Sequence, residues 1–187
     1  MSSRREQKQR EAIDKTIELC SLYGFHGTSI DRITLATGLS KATIYKYFSS
    51  KEQLIALALT QYSQQAIMQF NQLMENQLIS FEQRLDMRFD SLLSLLENDC
   101  FQGCFFQLAY SEYCNTEPNI ANICVDYKQQ RVQRLCYYLN QQGIDDAQHK
   151  AELAELIING LLSSLHLTRD PRLIESAKAL YKQVILN

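Results

Sequence analysis

The sequence predicts an all-α protein with about nine helices, and three observations support this fold class. The 187 residues include only two prolines and six glycines, so few positions interrupt a helix. Hydrophobic residues make up 45% of the chain, which is enough for a sizeable core. Apolar residues also recur every three or four positions, as they do on one face of a helix, and no alternating run predicts a strand.

The first two helices are predicted from apolar spacing and from the residues at their ends. Apolar side chains at helical spacing indicate a helix over about residues 4–23, and Gly24 is suited to end it. A short second helix follows, because Thr28 or Ser29 can cap its N-terminus. Gly38 then interrupts this second helix.

A third short helix, with the sequence KATIYKYF, is predicted to start after Ser40, a suitable N-cap. The fourth helix is long, because apolar residues continue at helical spacing through residues 55–73. Ser49 or Ser50 can cap it, and Glu52 lies in its first turn near the positive end of the helix dipole. We therefore expect one continuous helix to join the start of the chain to its remainder.

The same periodicity predicts five further helices in the rest of the chain. A proline in the first turn of a helix and a glycine after its end mark some of their bounds. The markers are Phe81–Leu96 for the fifth helix, Gly103 and Cys104 near the start of the sixth, Pro118–Leu135 with Gly143 beyond it for the seventh, Leu153–Leu165 for the eighth, and Pro171–Leu186 for the ninth.

Charge is distributed unevenly along the chain. Residues 1–51 contain nine Lys and Arg against five Asp and Glu, a balance of +4. Residues 52–187 contain ten against sixteen, a balance of −6, which gives the overall net charge of −2. The basic start could meet a polyanion such as nucleic acid, whereas the acidic remainder should not.

Several classes of function are disfavoured by the sequence. The polar start MSSRREQKQREA does not resemble a secretory signal, and no apolar run approaches the ~18 residues of a membrane span, so we expect a cytoplasmic protein without membrane contact. No pattern of nucleophile, base and orienting residue indicates an enzyme. The six cysteines form no CxxC pair, and the sequence predicts neither a metal site nor a cofactor.

The segment ITLATGLSKATIYKYF has the pattern of a helix-turn-helix, two short helices joined by a turn around a glycine. In this motif the second helix enters the major groove of DNA. Helical spacing predicts that Lys41, Thr43 and Lys46 face outward while Ile44 and Phe48 face inward. The pattern therefore favours a DNA-binding function for the start of the chain.

The longer segment GFHGTSIDRITLATGLSKATIYKYFSSKEQLIALAL resembles the DNA-binding signature of the tetracycline-repressor (TetR) family. The resemblance covers about residues 10–60, and Thr34 and Leu35 depart from the alanine and polar residue that are commoner there. The matching positions are Gly24-Phe25, Thr28-Ser29-Ile30, Ile33, Gly38-Leu39-Ser40, Tyr45, Phe48, Lys51-Glu52 and Leu54.

This resemblance implies a homodimeric transcriptional regulator whose partner is a double-stranded DNA operator. Residues 1–50 would form the helix-turn-helix DNA-binding domain, and residues 51–187 a helical ligand-binding and dimerisation domain. The implied function is that of a repressor released from a palindromic operator by a small-molecule inducer. The implied base contacts are Lys41, Ala42 and Lys46, and the implied phosphate contacts are Thr28, Ser40, Thr43, Tyr45, Tyr47 and Lys51.

Charge alone suggests that Arg4 and Arg5 extend this interface as an arm.

The aromatic-rich segment CFQGCFFQLAYSEYC leaves two interpretations open. Its rings could line the inducer pocket, or they could form ordinary core, because aromatic residues at helical spacing usually pack. The residues assigned to the pocket are Phe101, Cys104, Phe105, Tyr110, Tyr113 and Tyr127.

The eighth helix carries small residues beside leucines, which permits the close approach of a second subunit. Packing within the chain is the alternative. The residues assigned to the dimer interface are Leu153, Ile157, Gly160, Leu161, Ser164 and Leu165.

Two functional alternatives remain at this stage. A redox- or electrophile-sensing regulator of the same fold would use Cys100 or Cys104, which lie four residues apart. A non-specific architectural DNA-binding protein is disfavoured, because its positive charge should cover far more of the surface than residues 1–51, the part of the chain with a net positive charge. The sequence does not distinguish repression from activation.

Overall fold

The structure is a computed structural model that describes residues 3–187. Over this range the chain forms nine α-helices and no β-strand, which confirms the predicted fold class. None of the helices in these residues is both long enough and apolar enough to cross a membrane. The helices are α1 (Arg4–Tyr23), α2 (Ile30–Thr37), α3 (Lys41–Phe48), α4 (Lys51–Met74), α5 (Phe81–Glu97), α6 (Phe105–Tyr113), α7 (Pro118–Gln141), α8 (Ala147–Thr168) and α9 (Arg172–Leu186).

The helix ends follow the capping residues that the sequence offers. Ser29, and not Thr28, caps α2, because its side chain accepts a hydrogen bond from the Arg32 N–H. Gly38 follows α2 in the left-handed conformation, with φ of 67°, as a turn residue without a Cβ readily does. Ser50 caps α4 by accepting from the Gln53 N–H at 3.0 Å.

The described chain divides into two compact units. One consists of the described residues through Gln65 together with Phe105–Tyr127, and the other of Ala66–Cys104 with Lys128–Asn187. These units differ from the predicted division at residue 50, because the first unit also includes most of α4, all of α6 and the start of α7. The assignment of DNA binding to residues 1–50 and of ligand binding and dimerisation to residues 51–187 stays a prediction.

The first unit has a small core beneath the helix-turn-helix. Ala12 of α1, Ile33 of α2, Ile44 and Phe48 of α3 and Leu54 of α4 are buried together. The inward orientation predicted for Ile44 and Phe48 is thereby confirmed. Because α3 is anchored on this side, its opposite side faces solvent.

The second unit has charged side chains in its core, which we call the Arg88–Glu155–Arg131 cluster. Arg88 of α5 and Arg131 of α7 each donate a hydrogen bond of 3.0 Å to Glu155 Oε1 of α8. The Phe70 ring of α4 lies 4.9 Å and 5.2 Å from the two guanidinium carbons, and Arg88 also donates to the Tyr181 hydroxyl of α9. Five helices therefore meet at one network of charge-assisted contacts.

Candidate nucleic-acid interface

The outer side of α3 presents polar and basic side chains to solvent. The backbone there is regular, and the buried pair Ile44 and Phe48 fixes which side faces outward. Thr43 and Tyr47 are half-buried, on the boundary between the two sides. The exposed residues, which we call the α3 surface, are Lys41, Ala42, Tyr45 and Lys46.

Two hydroxyl groups lie together at the N-terminus of α3. Ser40 caps the helix by accepting from the Thr43 N–H at 3.1 Å, and its Oγ lies 2.9 Å from the Thr43 Oγ1. A helix N-terminus favours an anion, because its first N–H groups lack helical acceptors and the helix dipole is positive there. Ser40 and Thr43 are thus suitably placed for the predicted phosphate contacts.

Lys41 has a neighbour that the sequence analysis did not identify. Its Nζ lies 2.7 Å from Asp31 Oδ1 on α2, and both side chains are more than half exposed. The hydrogen bond to Asp31, together with the Asp31 charge, raises the pKa of Lys41. Lys41 is therefore charged, and in the free protein it is paired with a carboxylate that DNA phosphates or base edges would have to replace.

Two basic residues of the first unit stack on tyrosines near the helix-turn-helix. The Arg5 guanidinium lies 5.6 Å from the Tyr47 ring centroid, and that of Arg32 lies 4.1 Å from the Tyr23 ring centroid. Arg5 belongs to the first turn of α1, so the sequence-based expectation of an arm is wrong for the described residues. Both guanidinium groups remain on the surface, where they can add positive charge beside α3.

Lys51, the first residue of α4, is already engaged in the free protein. Its Nζ donates to the Phe25 backbone oxygen at 2.8 Å, and its side chain is partly buried. An ammonium group has three donors, so this contact leaves donors for a phosphate. The phosphate contact of Lys51 stays a prediction. In this structure the Lys51 ammonium stabilises the turn after α1.

Thr28 does not fit the phosphate role that the family resemblance implies. Its side chain is fully buried, with 0% exposure, and its hydroxyl donates to the Gly24 backbone oxygen at 2.7 Å. A buried hydroxyl that already has an acceptor cannot reach a DNA phosphate in this arrangement. Thr28 instead stabilises the turn between α1 and α2.

The predicted pocket residues do not lie together in one compact unit. Phe101 and Cys104 belong to the second unit, whereas Phe105, Tyr110, Tyr113 and Tyr127 belong to the first. Their function in ligand binding stays a prediction.

Two residues of this set, Phe105 and Tyr127, pack against other rings of the first unit. Phe105 is buried with its ring centroid 4.8 Å from that of Phe25 and 4.9 Å from that of Tyr62. Tyr127 stacks on Phe106 with centroids 3.7 Å apart. Tyr110, in contrast, is exposed. Core packing, the alternative that the sequence left open, therefore describes most of these aromatic residues.

Tyr113 is buried at its hydroxyl as well as at its ring. Only 3% of the residue is exposed, and its hydroxyl has no hydrogen-bond partner among the described residues. Burial raises the pKa of Tyr113, and the nearby carboxylates of Glu52 and Glu112 raise it further. The hydroxyl is thus neutral and available as a donor.

The residues predicted for the dimer interface lie on two different sides of α8. Leu161 and Leu165 are buried in the core of the second unit and are therefore not available to a second subunit. Leu153 and Ile157 are half-buried, and Gly160 and Ser164 are exposed.

The exposed side of α8 also includes two leucines that the sequence analysis did not select. Leu156 is 67% exposed and Leu167 is 82% exposed. Spacing of three and four residues places them with Gly160 and Ser164 on one side of the helix. α8 has apolar residues on two sides, and their spacing in the sequence did not show which side faces the core of its own chain.

The cysteines differ in their exposure. Cys100 is exposed and Cys104 is half-buried, and all six are free thiols. Cys20 is buried, and burial raises its pKa to about 11. Cys100 and Cys104 are therefore more accessible to a reagent than Cys20 is.

Comparison with known proteins adds independent information on the family. Residues 12–58 match the family model for bacterial regulatory proteins of the tetR family. The HTH-type transcriptional regulator YjdC of Escherichia coli K12 is 22% identical over 178 residues, which cover 95% of this chain and 93% of YjdC.

Solved structures show the same fold over nearly the whole chain. A TetR transcriptional regulator from Legionella pneumophila is 20% identical, with a TM-score of 0.83 over 99% of this chain and 98% of that one. The reduced form of E. coli NemR is 15% identical, with a TM-score of 0.87 over 96% of this chain and 97% of that one. At such identities the structural likeness establishes the fold.

Proposed function

Because the chain is a DNA-binding transcriptional regulator of the TetR family, we propose that it is a repressor that a small-molecule inducer releases from its operator. The observation that carries this proposal is the α3 surface, a row of exposed polar and basic side chains on a helix whose other side is buried. The proposed function is binding without catalysis, and it belongs to the cytoplasm, where an operator is accessible.

The α3 surface supports a division of labour between base and phosphate contacts. Lys41, Ala42 and Lys46 would approach base edges in the major groove, where lysine can recognise the acceptors of guanine. Phosphate contacts would fix the position of α3 and supply an affinity that decreases with salt. The residues proposed for phosphate contacts are Ser40, Thr43, Tyr45, Tyr47 and Lys51, and Thr28 is omitted because it is buried.

We further propose a homodimer that binds a near-palindromic operator. Two copies of α3 would enter successive major grooves on one side of the duplex, about 34 Å apart. The exposed side of α8, with Leu156, Gly160, Ser164 and Leu167, is the surface proposed for the second subunit. Small residues beside leucines allow two such helices to approach closely.

An inducer can release the operator only if it binds the non-binding arrangement of the dimer more tightly than the binding one. α4 is the proposed route of coupling, because this single helix contributes residues to both compact units. The inducer itself is an unidentified small molecule.

The proposed function is tested by selecting duplexes from a random library with the full-length protein. We expect enrichment of a sequence with dyad symmetry and half-sites about 10 base pairs apart. Its affinity should exceed that for a scrambled duplex by ~10³-fold or more at physiological salt. Enrichment of no sequence, or equal affinity for both duplexes, would contradict the proposal.

A variant of Lys46 connects this experiment to the α3 surface. Lys46→Ala should reduce the preference for one base position in each half-site by about 1–3 kcal/mol, because base contacts specify sequence. Arg134→Ala removes the same charge from an exposed residue of the second unit and is the matched control. Retention of the full base preference in Lys46→Ala would exclude a base contact by this residue.

A thiol-responsive regulator of the same fold is the second candidate, because Cys100 is exposed and Cys104 is partly exposed. Treatment with a thiol-alkylating reagent should then abolish operator binding by the wild-type protein. Cys100→Ser or Cys104→Ser should protect against this loss. Equal inhibition of the wild type and both variants would exclude these two cysteines.

A further inference from the structure

The turn between α1 and α2 is held by a glutamate that is distant in the sequence. The Phe25 N–H donates to Glu112, with N and Oε1 3.0 Å apart, and the His26 N–H donates to Oε2 of the same carboxylate. The His26 ring adds a contact, since its Nε2 lies 3.0 Å from the Glu112 backbone oxygen. Two successive backbone N–H groups that face one anion form a small anion-binding site. In this protein, Glu112 of α6 occupies that site.

The space around the turn is matched to the carboxylate. A Cβ added at Gly24 would lie only 3.0 Å from Glu112 Oε1, and Gly24 has a φ of +73°, which favours glycine independently. The Phe25 ring is fully buried, with its centroid 4.8 Å from that of Phe105 and 6.2 Å from that of Tyr113, both on α6. Backbone and side-chain contacts therefore join the turn to α6.

The carbonyl side of the same turn is joined to α4. The Phe25 backbone oxygen accepts from the Lys51 ammonium at 2.8 Å, so Phe25 lies between an anion at its N–H and a cation at its carbonyl. Ser29, four residues after Phe25, caps α2, the first helix of the helix-turn-helix. The contact with Glu112 therefore acts on the segment that sets where α2 begins and where the Lys51 ammonium lies.

From these contacts we propose that Glu112 is a positioning residue for DNA binding. It lies outside the helices that would contact DNA, yet it holds the turn from which α2, the first helix of the helix-turn-helix, starts. The inference rests on the proposed operator binding. Loss of the contact would leave α3 less well oriented for base edges, whereas attraction between basic side chains and phosphates would persist.

The direction of the effect separates positioning from simple electrostatics. Glu112→Gln removes a negative charge, and by electrostatics alone this change would strengthen binding to the DNA polyanion. Positioning predicts the opposite result, because a glutamine amide turns an N–H₂ group toward one of the two backbone donors. Loss of such charge-assisted hydrogen bonds is expected to weaken operator binding by about tenfold. Glu97→Gln, at the exposed end of α5, makes the same charge change and is the matched control.

The experiment measures affinity by fluorescence anisotropy for the duplex that the wild-type protein selects and for a scrambled duplex. For Glu112→Gln we expect about tenfold weaker binding to the selected duplex and no loss on the scrambled one. Glu97→Gln should lose affinity for neither. Equal affinities of the two variants for the selected duplex would overturn the proposal. A parallel loss of affinity on both duplexes by folded Glu112→Gln would also overturn it, because positioning predicts a loss on the selected duplex alone.

A second variant and a local measurement complete the test. Glu112→Asp keeps the charge but is shorter by one methylene, so it should reduce the ratio of selected to scrambled affinity by a smaller factor, about threefold. If Glu112→Gln does not fold, the affinity ratio of Glu112→Asp tests the proposal in its place. A ratio equal to that of the wild type would overturn the proposal. Hydrogen exchange of the Phe25 and His26 amides should accelerate in the variants. If the wild type selects no duplex at all, the proposed function fails instead, so the two failures are distinguishable.

Discussion

The carboxylate of Glu155 lies between two guanidinium groups in the core of the second unit, with only 6% of its side chain exposed. Burial alone would raise the pKa of Glu155, but the charges of Arg131 and Arg88 and their hydrogen bonds lower it to about 2. The pair of arginines needs this carboxylate, because a buried cation without a partner is costly. The cluster is therefore a point where a single substitution has a large effect.

We predict that Glu155→Gln lowers the free energy of unfolding at pH 7 by about 3–5 kcal/mol, as expected when one partner of a buried ion pair is removed. Because the folded pKa of Glu155 lies below its unfolded value of about 4.5, its contribution is complete above pH 4.5 and is lost as pH falls toward 2. Urea unfolding of wild type and variant should therefore show a difference that shrinks between pH 5 and about pH 3. Glu152→Gln, at an exposed position of α8, is the control. A difference that does not change with pH would contradict this account.

Tyr113 makes a second residue-scale prediction, because its buried hydroxyl has no partner among the described residues. Tyr113→Phe should raise the free energy of unfolding by up to about 1 kcal/mol, since a desolvated polar group without a hydrogen bond is unfavourable. Tyr138→Phe is the matched control, because the Tyr138 hydroxyl donates to Glu75 at 2.8 Å and its removal should destabilise. Thermal unfolding of the two variants measures both effects. Destabilisation by Tyr113→Phe would indicate that the hydroxyl has a partner after all.

Local signals explain which of these residues the sequence could predict. The cap at Ser40 and the inward orientation of Ile44 and Phe48 depend on neighbours within a few positions, so they were predictable. The contact between Phe25 and Glu112 joins residues 87 positions apart, and that between Arg88 and Glu155 joins residues 67 apart. No periodicity within one helix contains such information. The burial of Thr28 was likewise not predictable, because it depends on the folded turn in which its hydroxyl donates to the Gly24 backbone oxygen.

At the scale of the helices, apolar spacing predicted positions well and orientation less well. The predicted third helix coincides with α3, because a serine cap and a serine after the helix mark both ends. α8 begins at Ala147, before the first leucine that marked it, since its core side starts with the small residues Ala147 and Ala151. The same helix has apolar residues on opposite sides. Spacing alone therefore grouped buried Leu161 with exposed Gly160.

α4 is the helix on which the proposed coupling depends, and its stiffness can be tested. Gln64 and Gln65 are exposed, so replacing both with glycine should loosen the helix backbone without removing core side chains. We predict stability lower by about 2 kcal/mol and, with any effector that releases the wild type, a smaller change in operator affinity. Replacement by two alanines is the control, because alanine keeps the helix stiff. Equal coupling in both variants would exclude α4 as the route.

At the scale of the whole molecule, charge and assembly determine how strongly the protein can bind DNA. The chain has a net charge of −2, so attraction to a duplex must come from the basic residues concentrated in positions 1–51. A single copy has few such residues, and each neutralised phosphate adds to the salt dependence of binding. A dimer presents twice as many to one duplex. Specific binding at physiological salt is therefore expected to depend on the proposed dimer.

The exposed side of α8 allows this requirement to be tested directly. Leu156→Asp combined with Leu167→Asp places charges on two leucines that are 67% and 82% exposed, so the fold of a single chain should be retained. If this side is the dimer interface, the variant removes two buried leucines from each subunit, four in the dimer, and each contributes about 2 kcal/mol. The dissociation constant of the dimer should therefore rise by more than 10²-fold. Light scattering at micromolar concentration should then show monomers, and affinity for the selected duplex should fall with the loss of the second copy of α3. Leu78→Asp changes a leucine that is 95% exposed between α4 and α5 and should leave the dimer intact. If the double variant still forms dimers, the second subunit must bind a different surface. The two introduced aspartates could not be buried in an interface on this side of α8 without cationic partners.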